Sequence, residues 1–306
     1  MGGTMKKTII LLTVFALPVA LPASSAEKNS YLASLCPDCD TWDDPVKPFK
    51  VYGNTWYVGM KNIGVVLITS DFGHVLIDGG FPDSVPQITA NIETLGFKIT
   101  DVKAILSSHA HPDHVGGIAE LQRLSGAQVY ARNAAAEVLR TGKLQKDDPQ
   151  FKSKSPAIPK VAVQVWNLSD DQLLGVGGIR MRVIPTPGHT PGGTTWTWES
   201  CEGDKCLKMV YADSLSPVAS GGFRFSDGGD SGAGAQLQRS IERVENLPCD
   251  VLITPHPEAS GFMERIAKRP ADDPMGIKDE TQCKKYAEAA RERLTAKLAE
   301  EGQGKK

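Results

Sequence analysis

Five of the six histidines fall in three short segments: His109-Ala110-His111-Pro112-Asp113-His114, Pro187-Gly188-His189-Thr190-Pro191-Gly192 and Thr254-Pro255-His256-Pro257. Imidazole and carboxylate are ordinary zinc ligands. A catalytic zinc commonly holds three protein ligands and keeps a fourth position open to water. In an extended turn His109 and His111 can point to one ion, while Asp113 and His114 turn toward a second ion nearby. Two such sites would use these four side chains together with His189 and His256. None of the cysteines lies in the histidine segments, which speaks against a closed structural zinc site of the cysteine type. The chemistry that suits such a ligand set is hydrolysis by metal-activated water.

The elements that must carry these segments are strands ending just before them, where site loops gather in layered α/β folds. Residues 51–58 suggest two short strands around Gly53-Asn54. Residues 65–68 and 75–77 flank Ser70-Asp71-Phe72-Gly73 as a hairpin does. The second of them runs into the sharp turn Asp78-Gly79-Gly80. Residues 104–106 form a short apolar strand just ahead of His109. Further strands are expected at 129–131, 161–166, 179–184, 194–198, 208–212 and 251–253, and helices at 84–95, 118–124, 133–140 and 237–247. Tyr286, Ala290, Leu294 and Leu298 lie at helical spacing in a C-terminal helix whose other face is charged. The polar, proline-bearing residues 141–160 predict a surface loop, and the Gly/Ser-rich residues 220–234 a mobile one. The order predicts an α/β fold: two halves packed sheet to sheet with helices outside, a four-layer αβ/βα sandwich forming one domain over residues 27–306.

The first 26 residues differ in kind. Lys6 and Lys7 precede an apolar stretch, residues 8–21, broken by Pro18, and Ser24-Ser25-Ala26 offers small residues for cleavage. That pattern predicts a secretory leader over residues 1–26. As a membrane anchor the run is short of the roughly 20 residues a span needs. The formal charge of -2, or -4 once Lys6 and Lys7 are removed, gives no electrostatic grip on nucleic acid. An oxidising compartment favours disulfides among the six cysteines. Cys201 and Cys206 flank a short turn suited to a bridge, and Cys249 with Cys283 is the next pair. Cys36 and Cys39 could close a small loop or form a redox motif, and six cysteines allow about 15 pairings.

These segments together resemble the metallo-β-lactamase superfamily, and within it the subclass B3 metallo-β-lactamases. The stretches that carry the resemblance are Leu76-Ile77-Asp78-Gly79-Gly80, Ser107-Ser108-His109-Ala110-His111-Pro112-Asp113-His114, Gly188-His189-Thr190-Pro191-Gly192, Tyr211-Ala212-Asp213-Ser214-Leu215-Ser216 and Cys249-Asp250-Val251-Leu252-Ile253-Thr254-Pro255-His256-Pro257. The resemblance as a whole covers residues 48–295. The histidine motif marks the superfamily. The subclass rests on Ser214-Leu215-Ser216, the leader and the pair Cys249/Cys283, which resembles a disulfide common in it.

The resemblance implies two zinc ions per chain, the first on His109, His111 and His189, the second on Asp113, His114 and His256. A hydroxide held between them would attack the lactam carbonyl, so Ser214 is not a catalytic serine. Ser214 and Ser216 would contact the substrate carboxylate or a metal-bound water; the plainer alternative is two hydroxyls capping a turn. The implied protein is a periplasmic, monomeric enzyme that takes a small-molecule β-lactam and confers antibiotic resistance, with no nucleic-acid partner and no membrane attachment after leader cleavage. One alternative turns on Asp213. Many hydrolases of this superfamily bridge both metals with an aspartate after this strand, and a one-residue shift reverses which side chain faces the site. An Asp213 bridge would point to a lactonase, thioesterase or phosphodiesterase. Asp78 suits either a turn or the orienting of a ligand loop. His74 is expected to be a solvated turn residue, and Trp196 and Trp198, alternating on a strand, to be core.

Overall fold

The computed structural model describes residues 1–2, 39–153, 155 and 157–303. Residues 3–26 of the expected leader, Cys36 and the side chain of Cys39 lie outside these residues. Strands β1 (Phe49–Tyr52), β2 (Thr55–Tyr57), β3 (Val66–Ile68), β4 (His74–Ile77), β5 (Val102–Leu106), β6 (Gln128–Ala131) and β7 (Val165–Asn167) form a seven-stranded sheet in that spatial order. Pairing is antiparallel from β1 to β4 and parallel from β4 to β7. A five-stranded sheet contains β8 (Leu173–Val176), β9 (Ile179–Pro185), β10 (Thr194–Glu202), β11 (Lys205–Tyr211) and β12 (Val251–Ile253), in the order β12-β11-β10-β9-β8. Here only β11 and β12 run parallel.

Successive side chains of a strand point to opposite faces, and both faces of these sheets are covered. Val66, Ile68, Val75, Ile77, Ala104 and Leu106 meet Trp196, Met209, Tyr211, Val251 and Ile253 between the sheets. Leu67, Leu76 and Ile105 point the other way. They pack under helices α1 (Val85–Thr94), α2 (Pro112–Val115), α3 (Ile118–Ser125) and α4 (Asn133–Thr141). Beyond the second sheet, Val210, Ala212 and Leu252 pack against α5 (Ala233–Glu245) and, past α6 (Phe262–Lys268), α7 (Gln282–Gln303). This is the expected four-layer sandwich. Two-sided burial is why its central strands are unbroken apolar runs rather than alternating ones. No helix among the described residues is long and apolar enough to cross a membrane.

The sequence missed β8 and placed β7 too early. β8 is only Leu173-Leu174-Gly175-Val176, of which Leu174 is buried and Leu173 is 49% exposed, so this short edge strand shows no apolar-polar alternation. Cys201 and Cys206 face each other across β10 and β11 and are bonded, and Cys249 is bonded to Cys283 of α7. Residues 220–234, expected to be mobile on composition, are pinned from α7. Glu301, only 6% exposed, accepts hydrogen bonds from the backbone N–H groups of Phe225 (3.0 Å) and Ser226 (2.8 Å).

The topology collects one set of strand ends. Ile77, Leu106, Tyr211 and Ile253 close strands that run parallel to a neighbour. Pro185 closes β9, which shares the direction of β11 because both pair antiparallel with β10. The segments that follow these residues carry Asp78, His109 to His114, His189, Asp213 and His256.

Candidate metal centre

The centre is built from the strand ends outward. Asp78 follows β4 with φ of 64°, in the left-handed region, a conformation that a non-glycine residue holds only when its surroundings demand it. Its carboxylate accepts from Ser108 N–H (2.7 Å), Ser108 Oγ (2.7 Å) and Tyr211 OH (2.8 Å). Asp78 thus forms the turn and also fixes the residue before His109. His111 is extended and caps α2, with Pro112 in the first helical position, where a missing N–H costs nothing. That single helical turn swings Asp113 and His114 toward the neighbouring position.

Two ligand groups result. The ligand atoms of His109, His111 and His189 lie within 4.8 Å of one another, and so do those of Asp113, His114 and His256. The groups adjoin, with the rings of His109 and His114 centred 4.3 Å apart. In the second group Asp113 Oδ2 is 3.0 Å from His114 Nε2 and 3.4 Å from His256 Nε2, and the two nitrogens are 3.2 Å apart. Zinc bonds of about 2.0–2.2 Å in a tetrahedron put neighbouring ligand atoms about 3.3–3.6 Å apart. The triangle is therefore close to one face of such a tetrahedron, with the fourth corner left over.

The far nitrogens of four rings are held from behind. His109 Nδ1 is 2.8 Å from Asp213 Oδ1, and His111 Nε2 is 3.2 Å from Asp148 Oδ1. His189 Nδ1–H donates to Ser216 O at 2.8 Å, and His256 Nδ1–H donates to Asn62 O at 2.9 Å. Such partners fix tautomer and ring direction, and leave the other nitrogen free to bind a cation. In the first group that nitrogen is His109 Nε2, which is buried with no hydrogen-bond partner among the described residues. The donor set fits divalent metal.

Protonation agrees. Burial holds His109 well below the ordinary imidazole range, takes His189 down to about 3 and lowers His114. These rings are neutral, as metal ligands must be. Burial alone would raise Asp113, but the His114 and His256 rings outweigh it and hold the carboxyl well below its usual value. His111 differs: burial lowers it, yet Asp148 prevails and the net shift is upward. Burial pushes Asp213 well above the carboxylate range.

All six expected ligand residues converge. Asp213 lies behind His109 and belongs to neither ligand group. The closeness of that packing shows at Gly193, where a Cβ would stand 2.4 Å from Asp213 Oδ2 and 2.4 Å from Thr186 O. Ser214 is buried beside Asp213, and Ser216 Oγ lies 3.2 Å from His189 Nδ1. The expectation for His74 is overturned. It opens β4 and is 7% exposed, its Nδ1 accepts from Ser70 N–H at 3.3 Å, and its ring meets Phe97 edge-on. The hairpin turn ends one residue earlier than expected, which takes His74 into the sheet. Trp196 and Trp198 are core, and their indole N–H groups donate to Ser107 O and Thr55 Oγ1. The sequence missed Asp148, Gln150, Tyr211 and Asn62. Asn62 acts here through a backbone carbonyl, which every residue carries, so no residue-type signal could have found it.

A family model described as the metallo-beta-lactamase superfamily matches residues 58–202. Among solved structures, the Rm3 metallo-beta-lactamase is 47% identical, with a TM-score of 0.83 over 87% of this chain and 99% of that one. MEM-A1, a subclass B3 metallo-beta-lactamase from a soil metagenome library, is 45% identical, with a TM-score of 0.83 over 86% of this chain and 100% of that one. The curated relatives are more distant. A hydroxyacylglutathione hydrolase of Rhodopseudomonas palustris (strain BisB5) is 28% identical over 61% of this chain, and the chain spans 62% of its length. Its counterpart in strain HaA2 is 31% identical over 51% of this chain, which spans 52% of it. With near-complete coverage of solved enzymes at this identity, the chain belongs to the metallo-β-lactamase superfamily and is similar to its subclass B3 members.

Proposed function

We propose that this protein hydrolyses the amide bond of β-lactams, with zinc on both ligand groups, in the periplasm after loss of residues 1–26. The observation that carries this reading is the position of Asp213. Its Oδ1 lies 2.8 Å from His109 Nδ1, which supports a role behind that ligand rather than a bridge between two metals.

Zinc held by His109, His111 and His189, and by Asp113, His114 and His256, would supply an ionised water and a Lewis acid for the lactam carbonyl. The protein's own part is positional. Neutral imidazoles and a single ligating carboxylate leave the centre strongly cationic, which suits a substrate carrying a carboxylate. Ser214, buried beside Asp213, would donate to that carboxylate. No histidine bonds its hydroxyl among the described residues, so it is not an activated nucleophile. A thioesterase reading draws on the hydroxyacylglutathione hydrolases, which the chain matches over only part of their length.

The test is a panel of a penicillin, a cephalosporin, a carbapenem and a glutathione thioester, each with and without a chelator. Ring opening that the chelator abolishes, with the thioester spared, is expected. Intact β-lactams in the presence of zinc-loaded protein would overturn the proposal.

A further inference from the structure

Residues 142–164 contain no helix or strand among the described residues, yet they bury a carboxylate. Asp148 is 4% exposed, and no lysine or arginine pairs with it among the described residues. Burying an ionised group is costly unless its lone pairs are filled. Here Asp148 Oδ1 lies 2.7 Å from Gln150 N–H and 3.2 Å from His111 Nε2. The local turn aims it beforehand: Asp148 N–H donates to Gln145 O (3.0 Å) and Phe151 N–H donates to Asp148 O (3.0 Å). The other His111 nitrogen, Nδ1, has only the Gln150 amide at 3.4 Å, a long contact.

We infer that Asp148 is a positioning residue. By taking the Nε2–H of His111 it presents Nδ1 to the first metal, and so makes the affinity of that metal depend on the order of the 141–160 loop. This rests on the metal centre proposed above and adds a link that centre does not require. The loop is held in turn from the far side, since Ser220 N–H donates to Pro149 O at 2.9 Å. Linkage is reciprocal: a metal that binds better to the ordered loop must also order it. The segment around Asp148 therefore helps hold the metal.

The test measures stepwise zinc affinity by competition with a chromophoric chelator, without any β-lactam, in the purified wild type, Asp148→Ala and Asp148→Asn. Asp148→Ala should weaken one binding step about 10–100-fold and leave the other unmoved, the range seen when a ligand's partner is lost. Asp148→Asn retains an oxygen that can accept Nε2–H and should recover part of the loss. In the Asp113→Ala background, where the first group holds the remaining zinc, Asp148→Ala should weaken that zinc by the same factor. Zinc should also slow proteolysis within residues 142–153 in the wild type, and slow it less in Asp148→Ala. Unchanged affinity at both steps overturns the inference, and so does equal weakening of both in Asp148→Asn. A wild type that binds two zinc ions but spares β-lactams would sink the proposed substrate and leave this role of Asp148 standing.

Discussion

The two ligand groups share a strand-end platform but are assembled differently. In the first, each imidazole has its far nitrogen engaged, by Asp213, Asp148 or Ser216 O. In the second, His256 is braced by Asn62 O, while His114 Nδ1 is buried without a partner among the described residues. The ligand atoms of the second group form a triangle with edges of 3.0, 3.2 and 3.4 Å. The difference lies in the donor set. The first group is three imidazoles, each braced from behind by another residue. The second sets one carboxylate beside two imidazoles, of which only His256 has such a brace among the described residues.

That contrast makes Asp113 the most damaging residue to remove. Asp113→Ala should reduce bound zinc from two per chain to one. β-Lactam turnover should fall about 100- to 10,000-fold, the several kcal/mol expected of a lost Lewis acid. Elemental analysis and steady-state kinetics would check this. Two zinc ions still bound in the variant would show that the second group holds its metal without the carboxylate.

Asp78, which fixes the residue before His109, behaves oppositely to Asp113. Burial pushes Asp78 up to about 7, even against its hydrogen bonds from Ser108 and Tyr211. A folded-state value above the ordinary one means that the native protein keeps a proton the unfolded chain releases. This contribution is fully present below pH ~4 and is lost as pH rises through about 7. In chelated protein the stability of the wild type should therefore decline relative to Asp78→Asn over that window, by about 2–4 kcal/mol. Urea unfolding at a series of pH values measures the gap. A gap that stays flat with pH would mean that Asp78 titrates in the native state as it does in the unfolded chain.

Asp213→Asn tests the bracing itself. It should weaken the first zinc about 10–100-fold and spare the second. An aspartate that bridged both metals would instead weaken both together, as the thioesterase reading requires. Separate stoichiometric steps in a zinc titration distinguish the two outcomes.

The ligand residues were legible in the sequence because their chemistry is confined to a few residue types at close spacing. The sheets were legible where both faces are buried, as in β3, β4 and β12. The edge strand β8 was not, since a strand with one buried residue carries no pattern. His74 was misjudged because hairpin boundaries shift by a residue, and one residue decides whether a side chain enters the sheet. Asp148 stands in a polar stretch, where composition cannot separate a buried carboxylate from a solvated one. Glu301, near the chain end, was hidden for the same reason.

The smallest expected effect concerns the two serines, which the sequence treats alike and the structure separates. Ser216 meets His189 Nδ1 with both its carbonyl and its hydroxyl, at 2.8 and 3.2 Å. Its backbone does the bracing, so Ser216→Ala should leave the first zinc in place. Ser214 has no side-chain hydrogen bond to another described residue, which leaves its hydroxyl free to meet a substrate. Ser214→Ala should raise KM for a carboxylate-bearing β-lactam about 3- to 10-fold, the worth of one hydrogen bond, and change kcat little. Substrates whose carboxylate is esterified should not distinguish the variant from the wild type. If Ser216→Ala raises KM more than Ser214→Ala does, the side chain of Ser216 faces the substrate, and the backbone carbonyl alone braces His189.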